Sequence, residues 1–313
     1  MKLFVNDLTV MDFSYLCPKR GMVGESWIVD IVLDGGLNEE SMVQDFGIVK
    51  KQLKKLIDEY VDHKLVVPAE YEGVHIQHDQ TEGRVRVDFT YSNKAEDANI
   101  ESIHLLCPPE AYAFVYDTSV NMHSVRAYLK DVIKTHLPEN VHSIDIDLRT
   151  EVIDSPYYHY THGLKKHDGN CQRIAHGHRS KVIVHENGKR STHREAYWAK
   201  RWEDIYIGTE EDLVDADTLM LVSLDSQDAV SSKISNQRHY CFAYEASQGR
   251  FEMAIPKSAC EIVKYDSTVE CLAQYMLEEL TLKAADLNSG TATEFEVRAF
   301  EGVGKGAMVS SRG

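Results

Sequence analysis

The 313-residue sequence has no paired-cysteine motif, no long apolar run and no excess of basic residues. Its six cysteines are scattered along the chain: Cys17, Cys107, Cys171, Cys241, Cys260 and Cys271. This distribution indicates free thiols in a reducing compartment, and it argues against the zinc deaminases, which need a paired-cysteine motif. No apolar stretch reaches the length of a membrane span, and Asp7 comes too early for a secretory signal. We therefore expect a cytoplasmic protein.

Basic residues are outnumbered by acidic ones, 34 to 50, which gives a net charge of −16. This balance disfavours nucleic acid as the main partner, because phosphate binding needs a basic surface. One segment is different. Residues 162–201 contain ten Lys or Arg against three Asp or Glu. That segment either creates a local field for a small anionic ligand or is a solvated basic face.

The most informative pattern present is a group of histidines in the second half of the chain. His176 and His178 are two residues apart, and on a strand this spacing points both imidazoles to the same face. A third imidazole from the preceding strand, at His162, would complete a three-nitrogen zinc site with one open position. Cys171 is the nearest candidate acid, base or nucleophile.

An incidental origin of this pattern stays open, since the chain has 15 histidines. Four others lie close enough in sequence to replace one of the three ligands: His159, His167, His185 and His193. A zinc hydrolase of another fold is also an alternative, but it predicts a glutamate beside the histidines, as in HExxH, and the sequence has no such motif.

The chain repeats itself weakly, since residues 107–121 resemble residues 255–270. Each copy follows a β-patterned stretch and precedes a helix and another β-patterned stretch. Helices are predicted from a cap at Asp45 to Tyr60, over Asn121–Thr135 and over Thr268–Lys283. Strands are predicted at Trp27–Leu33, Arg84–Tyr91, Ser143–Arg149, Lys181–His185, His239–Glu245 and Phe295–Phe300, and a hairpin turn at 34–38. Residues 191–235 show no counterpart of the first helix.

These patterns predict an α+β protein with two tandem domains, residues 1–151 and 152–313. Each is expected to have an antiparallel sheet with helices on one face and a small β insertion.

The second half resembles the 6-pyruvoyl- and 6-carboxytetrahydropterin synthases. Tyr158–His162, Cys171 and the HGH segment at 176–178 match the family's first histidine strand, cysteine and HGH motif. Glu301 stands where the family has a terminal glutamate that anchors the pterin, and 267–270, ending in Glu270, echoes a further family stretch.

The first half resembles the same family through other motifs. Residues 42–47 match its Met-x-x-Asp-Phe segment, and Asp62-His63 match its catalytic Asp–His pair. The zinc set is missing there, because residues 13–17 and 23–25 hold no histidine. The resemblance implies two T-fold (tunnelling-fold) domains, each with a four-stranded antiparallel sheet, and a catalytic site divided between them.

For this site the resemblance implies zinc on His162, His176 and His178, catalysis by Cys171, Asp62 and His63, and substrate binding by Glu301 and Glu270. It implies a pterin triphosphate, 7,8-dihydroneopterin triphosphate, as substrate. The expected enzyme is a zinc-dependent lyase of the 6-carboxy type, in the deazaguanine (queuosine) pathway, with the basic segment holding the triphosphate. Alternatives are a 6-pyruvoyl-type synthase and a non-catalytic tandem protein that binds zinc or a pterin.

A ring-shaped homo-oligomer, a trimer or a dimer of trimers, is also implied. A second metal on Cys17 and Glu25 is left open.

Overall fold

The computed structural model describes residues 1–79, 83–92, 100–223, 234–287 and 293–311. The strands, in chain order, are β1 (Lys2–Cys17), β2 (Gly21–Gly35), β3 (Leu65–Pro68), β4 (Val74–Asp79), β5 (Arg84–Ser92), β6 (Ile100–Cys107), β7 (Tyr112–Val115), β8 (Val141–Thr150), β9 (Tyr157–His162), β10 (His176–Glu186), β11 (Lys189–Arg190), β12 (Ile205–Thr209), β13 (Leu213–Val214), β14 (His239–Ala246), β15 (Gly249–Pro256), β16 (Cys260–Val263), β17 (Phe295–Phe300) and β18 (Gly306–Ser310). The helices are α1 (Phe46–Tyr60), α2 (Met122–Lys134), α3 (Thr192–Arg201), α4 (Met220–Ser223) and α5 (Val269–Leu287).

Three sheets contain these strands. The first has the order β7-β3-β1-β2-β8, and the second has the order β16-β12-β9-β10-β17-β18, with β11 paired to β10. In both, a long antiparallel hairpin is extended on one side by two parallel strands. The third sheet, β13-β14-β15-β6-β5-β4, takes strands from both halves, since β6 pairs with β15.

The expected α+β class is confirmed, but the sheets differ from the expected four-stranded antiparallel ones. The stretches expected to form two separate small insertions combine into the third sheet, so hydrogen bonding continues across the predicted boundary at 151/152. That boundary lies between β8 and β9.

Helices α1 and α2 pack on the first sheet, α3 and α5 pack on the second, and the short α4 packs on β6 of the third. The side chain of Asp45 accepts a hydrogen bond from Ile48 N at the start of α1, and Asn121 caps α2 in the same manner. Apolar side chains at helical spacing point into the first core, for example Val49, Leu53 and Ile57 of α1. The corresponding core of the second half contains Trp198 of α3 and Met276 of α5.

Two further sequence predictions were wrong. Residues 34–38 do not form a hairpin turn, because β2 ends at Gly35 and the chain continues toward α1; the β1–β2 hairpin turns at residues 18–20 instead. The first helix does have a counterpart in the second half, namely α3. The spacing of apolar residues did not reveal α3, because most of its residues are polar and the buried Glu195 shares its inner face with Trp198. Residues 224–233 of the unassigned segment lie outside the described residues.

The two hairpins meet backbone to backbone at Gly24 of β2 and Gly177 of β10. A Cβ on Gly24 would lie 1.9 Å from the carbonyl oxygen of Tyr160, and one on Gly177 would lie 2.6 Å from Gly24 Cα. Only glycine permits this approach, which brings β1 and β2 of one half against β9 and β10 of the other. None of the helices in the described part of the chain has both the length and the apolar character of a membrane span.

Candidate active site

Three buried histidines converge where β9 and β10 pair. His162 and His176 are register partners across the two strands, and His178 follows two residues later on the same face. Each ring is at most 1% exposed, and the candidate ligand atoms all lie within 4.8 Å of one another. The Nε2 atoms of His162 and His178 are 3.2 Å apart. Two nitrogens bound at 2.0–2.1 Å to a tetrahedral zinc would be separated by about 3.3 Å.

Two of these rings are fixed through their other nitrogen. Nδ1 of His162 lies 2.9 Å from the carbonyl oxygen of Ser267, and Nδ1 of His176 lies 3.1 Å from that of Arg173. A carbonyl only accepts, so each Nδ1 carries the hydrogen and each Nε2 keeps a lone pair for a metal. Burial lowers the pKa of both imidazoles well below the usual value, which favours the neutral form that a metal requires.

The third ring faces a carboxylate from the other half of the chain. Nδ1 of His178 lies 3.2 Å from Oδ1 of Asp12 on β1. The two atoms lie at ion-pair distance without forming a hydrogen bond, and the negative charge of the carboxylate favours the tautomer with its proton on Nδ1. The three imidazoles thus fit a zinc ion bound through Nε2 atoms with one position open.

Asp62 and His63 lie in the turn between α1 and β3. Nδ1 of His63 is 2.6 Å from Oδ2 of Asp62, and the His63 backbone has a φ of +55°, in the left-handed region. Two backbone bonds fix this turn to β1: His63 N donates to Asp12 O at 2.7 Å, and Asp12 N donates to Asp62 Oδ1 at 2.7 Å. Burial by itself lowers the pKa of His63, but its contacts with Asp62 and Cys171 outweigh burial and raise the pKa to about 10.

The same turn places His63 against the second half of the chain. His63, Cys171 and His176 have candidate ligand atoms within 4.8 Å of one another, and the rings of His63 and His176 are 5.1 Å apart between centroids. This second grouping suits a metal less well, because a histidine with a raised pKa holds its proton and a protonated imidazole cannot ligate. His63 of the first half and Cys171 and His176 of the second, which were predicted from distant parts of the sequence, are therefore neighbours in the structure.

Glu301, which follows β17, lies at the edge of the cluster. Its Oε1 atom is 3.8 Å from Nε2 of His178, its Oε2 atom is 4.0 Å from Nζ of Lys305, and its side chain is 22% exposed. Glu270 lies apart from this arrangement, exposed in the first turn of α5. The residue of that segment that touches the cluster is Ser267, whose Oγ is 3.1 Å from Nδ1 of His162.

The basic segment at 162–201 is largely neutralised by neighbouring carboxylates. Seven of its basic residues form ion pairs: Lys165–Asp212, Lys166–Asp266, Lys181–Glu151, Arg190–Glu195, Arg194–Glu186, Lys200–Glu203 and Arg201–Glu261. The local field is therefore smaller than the charge count indicates. Arg173 is the member of the segment that contacts the cluster, through Nη1 donating to the His63 carbonyl at 3.4 Å.

The equivalent place in the first half holds different residues. By strand register Tyr15 of β1 corresponds to His162, and Val23 and Glu25 of β2 correspond to His176 and His178. In the turn before β12, Asp204 has a φ of +58° and binds Arg20 through both carboxylate oxygens. In the described part of the chain, neither grouping with metal-binding spacing includes Cys17 or Glu25.

Sequence reasoning missed several residues around the cluster. Asp12 contacts His178, and Lys305 contacts Asp12, but no spacing rule connects either residue to the histidines. Only the packing of the two hairpins brings β1 to β10. Ser267 and Arg173 lie in segments already noted, but the sequence did not show that their carbonyls would accept from His162 and His176.

No family model matches the sequence. A protein of Methanocaldococcus jannaschii named "Putative 6-carboxy-5,6,7,8-tetrahydropterin synthase" is 35% identical over 99 residues, which cover 31% of this chain and 57% of that relative. The 6-pyruvoyl tetrahydropterin synthase of Plasmodium vivax matches 50% of this chain and 93% of its own at 17% identity, with a TM-score of 0.35. That of Plasmodium falciparum matches 47% and 90% at 15% identity, with a TM-score of 0.34. Both structural likenesses are weak. The sequence match shows that part of this chain is similar to a putative 6-carboxytetrahydropterin synthase, and the chain spans less than two thirds of the length of that relative.

Proposed function

We propose that this protein is a zinc-dependent lyase that acts on 7,8-dihydroneopterin triphosphate. The reaction proposed is that of a 6-carboxytetrahydropterin synthase. It eliminates triphosphate and cleaves the carbon–carbon bond of the substrate side chain with uptake of one water, so that the products are 6-carboxytetrahydropterin, acetaldehyde and triphosphate. One observation carries the proposal: the Asp62–His63 pair of the first half lies against Cys171 and the three buried imidazoles of the second.

His162, His176 and His178 would hold the zinc, because their Nε2 atoms converge and each Nδ1 has an acceptor beside it. When bound, zinc supplies Lewis acidity that lowers the pKa of the substrate hydroxyl groups it contacts.

Proton transfer falls to Cys171 and His63. At neutral pH His63 carries a proton, because its pKa is raised to about 10, and Asp62 fixes its orientation through Nδ1. His63 is therefore placed to return a proton to the substrate, and Cys171, its neighbour, to remove one from the side chain. The tight Asp62 contact holds the imidazole in one orientation through both transfers.

Two further groups would position the substrate. Glu301 presents a partly exposed carboxylate at the edge of the cluster, where it matches the two N–H donors of a pterin edge. Arg173, beside His63, is the cation placed to attract the triphosphate. Glu270 has no such position, and its proposed role in substrate binding depends on a direct test by substitution.

Product analysis tests the proposal. Purified zinc-loaded protein is mixed with 7,8-dihydroneopterin triphosphate, and products are separated by chromatography and identified by mass. Acetaldehyde in equal amount to the pterin product supports the 6-carboxy reaction. A 6-pyruvoyl product without acetaldehyde supports the alternative synthase. Binding without any product would overturn catalysis and leave a zinc- or pterin-binding protein.

We also propose a homo-oligomer, a trimer or a dimer of trimers arranged as a ring. Within the described residues β8 bonds only to β2 and β18 only to β17, so both sheets present an open edge. Unpaired strand edges are suited to pairing with another chain. Light scattering coupled to size-exclusion chromatography measures the mass directly, and a monomer at all concentrations would exclude the ring.

A further inference from the structure

Asp12 contacts both the Asp62–His63 pair and one of the three imidazoles of the candidate site. Its backbone N–H donates to Asp62 Oδ1 and its carbonyl accepts from His63 N, both at 2.7 Å. Its side chain faces the metal cluster, with Oδ1 at 3.2 Å from His178 Nδ1. Its other carboxylate oxygen lies 3.0 Å from Nζ of Lys305, which follows Glu301 in the same loop.

The carboxylate is held in one place. Only 3% of Asp12 is exposed, and Ser26 Oγ donates to its Oδ1 at 2.5 Å. Gly302 closes the space on another side, because a Cβ there would lie 2.4 Å from the same oxygen. A buried carboxylate without partners is costly, so these contacts are what allow a charge to persist beside His178.

We propose that Asp12 is the positioning residue of the metal centre: it holds His178 with Nε2 directed at the metal, and it does so from the opposite half of the chain. The inference rests on the proposed zinc site. Carboxylates behind metal-bound imidazoles fix the ring tautomer and raise the basicity of the ligand.

The equivalent place in the other half supports this assignment. There the carboxylate and the imidazole change places. By register Glu25 corresponds to His178, and His159 corresponds to Asp12. His159 Nδ1 lies 3.9 Å from Glu25 Oε2. This pair faces Tyr15 and Val23 instead of two further imidazoles. The carboxylate–imidazole pair therefore recurs in both halves, but only Asp12 has a ligand set behind its partner.

The test is the zinc affinity of Asp12→Asn, measured by competition with a chromophoric chelator. Asparagine keeps the size of the side chain and both backbone bonds while removing the charge. We expect the zinc dissociation constant to rise by about 10- to 100-fold, as for other outer partners of metal ligands. Glu25→Gln is the matched control, a buried carboxylate of the same interface that contacts no ligand, and it should bind zinc as the wild type does.

Spectroscopy gives a second readout independent of turnover. The absorption bands of the Co²⁺-substituted protein should shift in Asp12→Asn and not in Glu25→Gln. If Asp12→Asn does not fold, Ser26→Ala removes the hydrogen bond that fixes the carboxylate and should also weaken zinc binding. If the wild type binds zinc and is active, and the folded variants bind zinc as tightly as it does, this inference is wrong and the proposed function stands. A wild type that binds no zinc overturns it together with the proposed function.

Discussion

Ser14 and Thr161 share a buried hydrogen bond of 2.7 Å between their hydroxyl oxygens. The two residues occupy the same position in their hairpins, immediately before Tyr15 and His162. The contact thus joins corresponding points of the two halves, close to the glycines where the hairpins meet. The position of β1 relative to β10, and with it the position of Asp12 and His63, depends on this junction.

The first prediction concerns the metal ligands. His176→Ala and His178→Ala should each reduce zinc from one ion per chain to nearly none, because a site of three protein ligands loses most of its affinity with one of them. Metal analysis of the purified proteins measures this. His185→Ala is the matched control, since His185 is on the same strand but faces Glu296 and should leave the zinc content unchanged. Two zinc ions per wild-type chain would contradict a site confined to the second half.

The second prediction separates catalysis from metal binding. His63→Ala should keep its zinc and lose about 10²- to 10⁴-fold in kcat, the usual contribution of a positioned acid or base. Turnover and metal content are measured on the same samples, with the exposed His75→Ala as a control. Full activity of His63→Ala would show that the Asp62–His63 pair has no part in the reaction.

The third prediction addresses the junction of the hairpins. Gly24→Ala should destabilise the fold by at least about 1–3 kcal/mol, since its Cβ meets the Tyr160 backbone and nothing there can move aside easily. Chemical denaturation of the metal-free protein measures the change. Gly36→Ala, whose Cβ meets nothing within 4 Å, should have little effect. A wild-type stability in Gly24→Ala would mean that the two hairpins do not approach this closely.

The fourth prediction is a pH dependence. Burial raises the pKa of Glu25 from 4.5 to about 7. Between these values the folded state keeps a proton that the unfolded state releases, so stability falls as the pH rises through this range. Glu25→Gln should therefore be more stable than the wild type by about 1–3 kcal/mol at pH 8, with a smaller difference at pH 5.

Urea denaturation at the two pH values checks this, and Asp30→Asn on the same strand provides a contrast. Despite the opposing effect of burial, the Arg149 guanidinium holds the pKa of Asp30 below its usual value. Loss of that carboxylate should lower stability about equally at pH 8 and pH 5, because both values lie above its ordinary pKa of 3.8 and its contribution is lost only as the pH falls below that value. Identical urea denaturation curves for the wild type and Glu25→Gln at pH 8 would show that ionised Glu25 does not destabilise the folded state.

Local signals predicted much of this structure. The caps at Asp45 and Asn121 and the apolar spacing behind them located α1 and α2 to within a residue or two. The HxH spacing gave the correct strand and face for His176 and His178. Such features depend on neighbours along the chain, and sequence reveals them directly.

Features that depend on distant parts of the chain were not predicted. The β6–β15 pairing joins stretches about 150 residues apart, and nothing in the sequence of either strand indicates which strand it pairs with. Asp12 is one acid among 50 acidic residues, and its role follows only from packing. α3 was missed since few of its apolar residues face the core and a buried Glu195 interrupts them.

One polypeptide supplies both the dyad at 62–63 and the imidazoles at 162–178. A covalent link of this kind holds the two groups together at a fixed effective concentration, whatever the concentration of the protein. Dilution should therefore not separate the reacting groups. Mixing a chain that lacks His63 with one that lacks His176 should not restore activity, because every molecule carries its own defect.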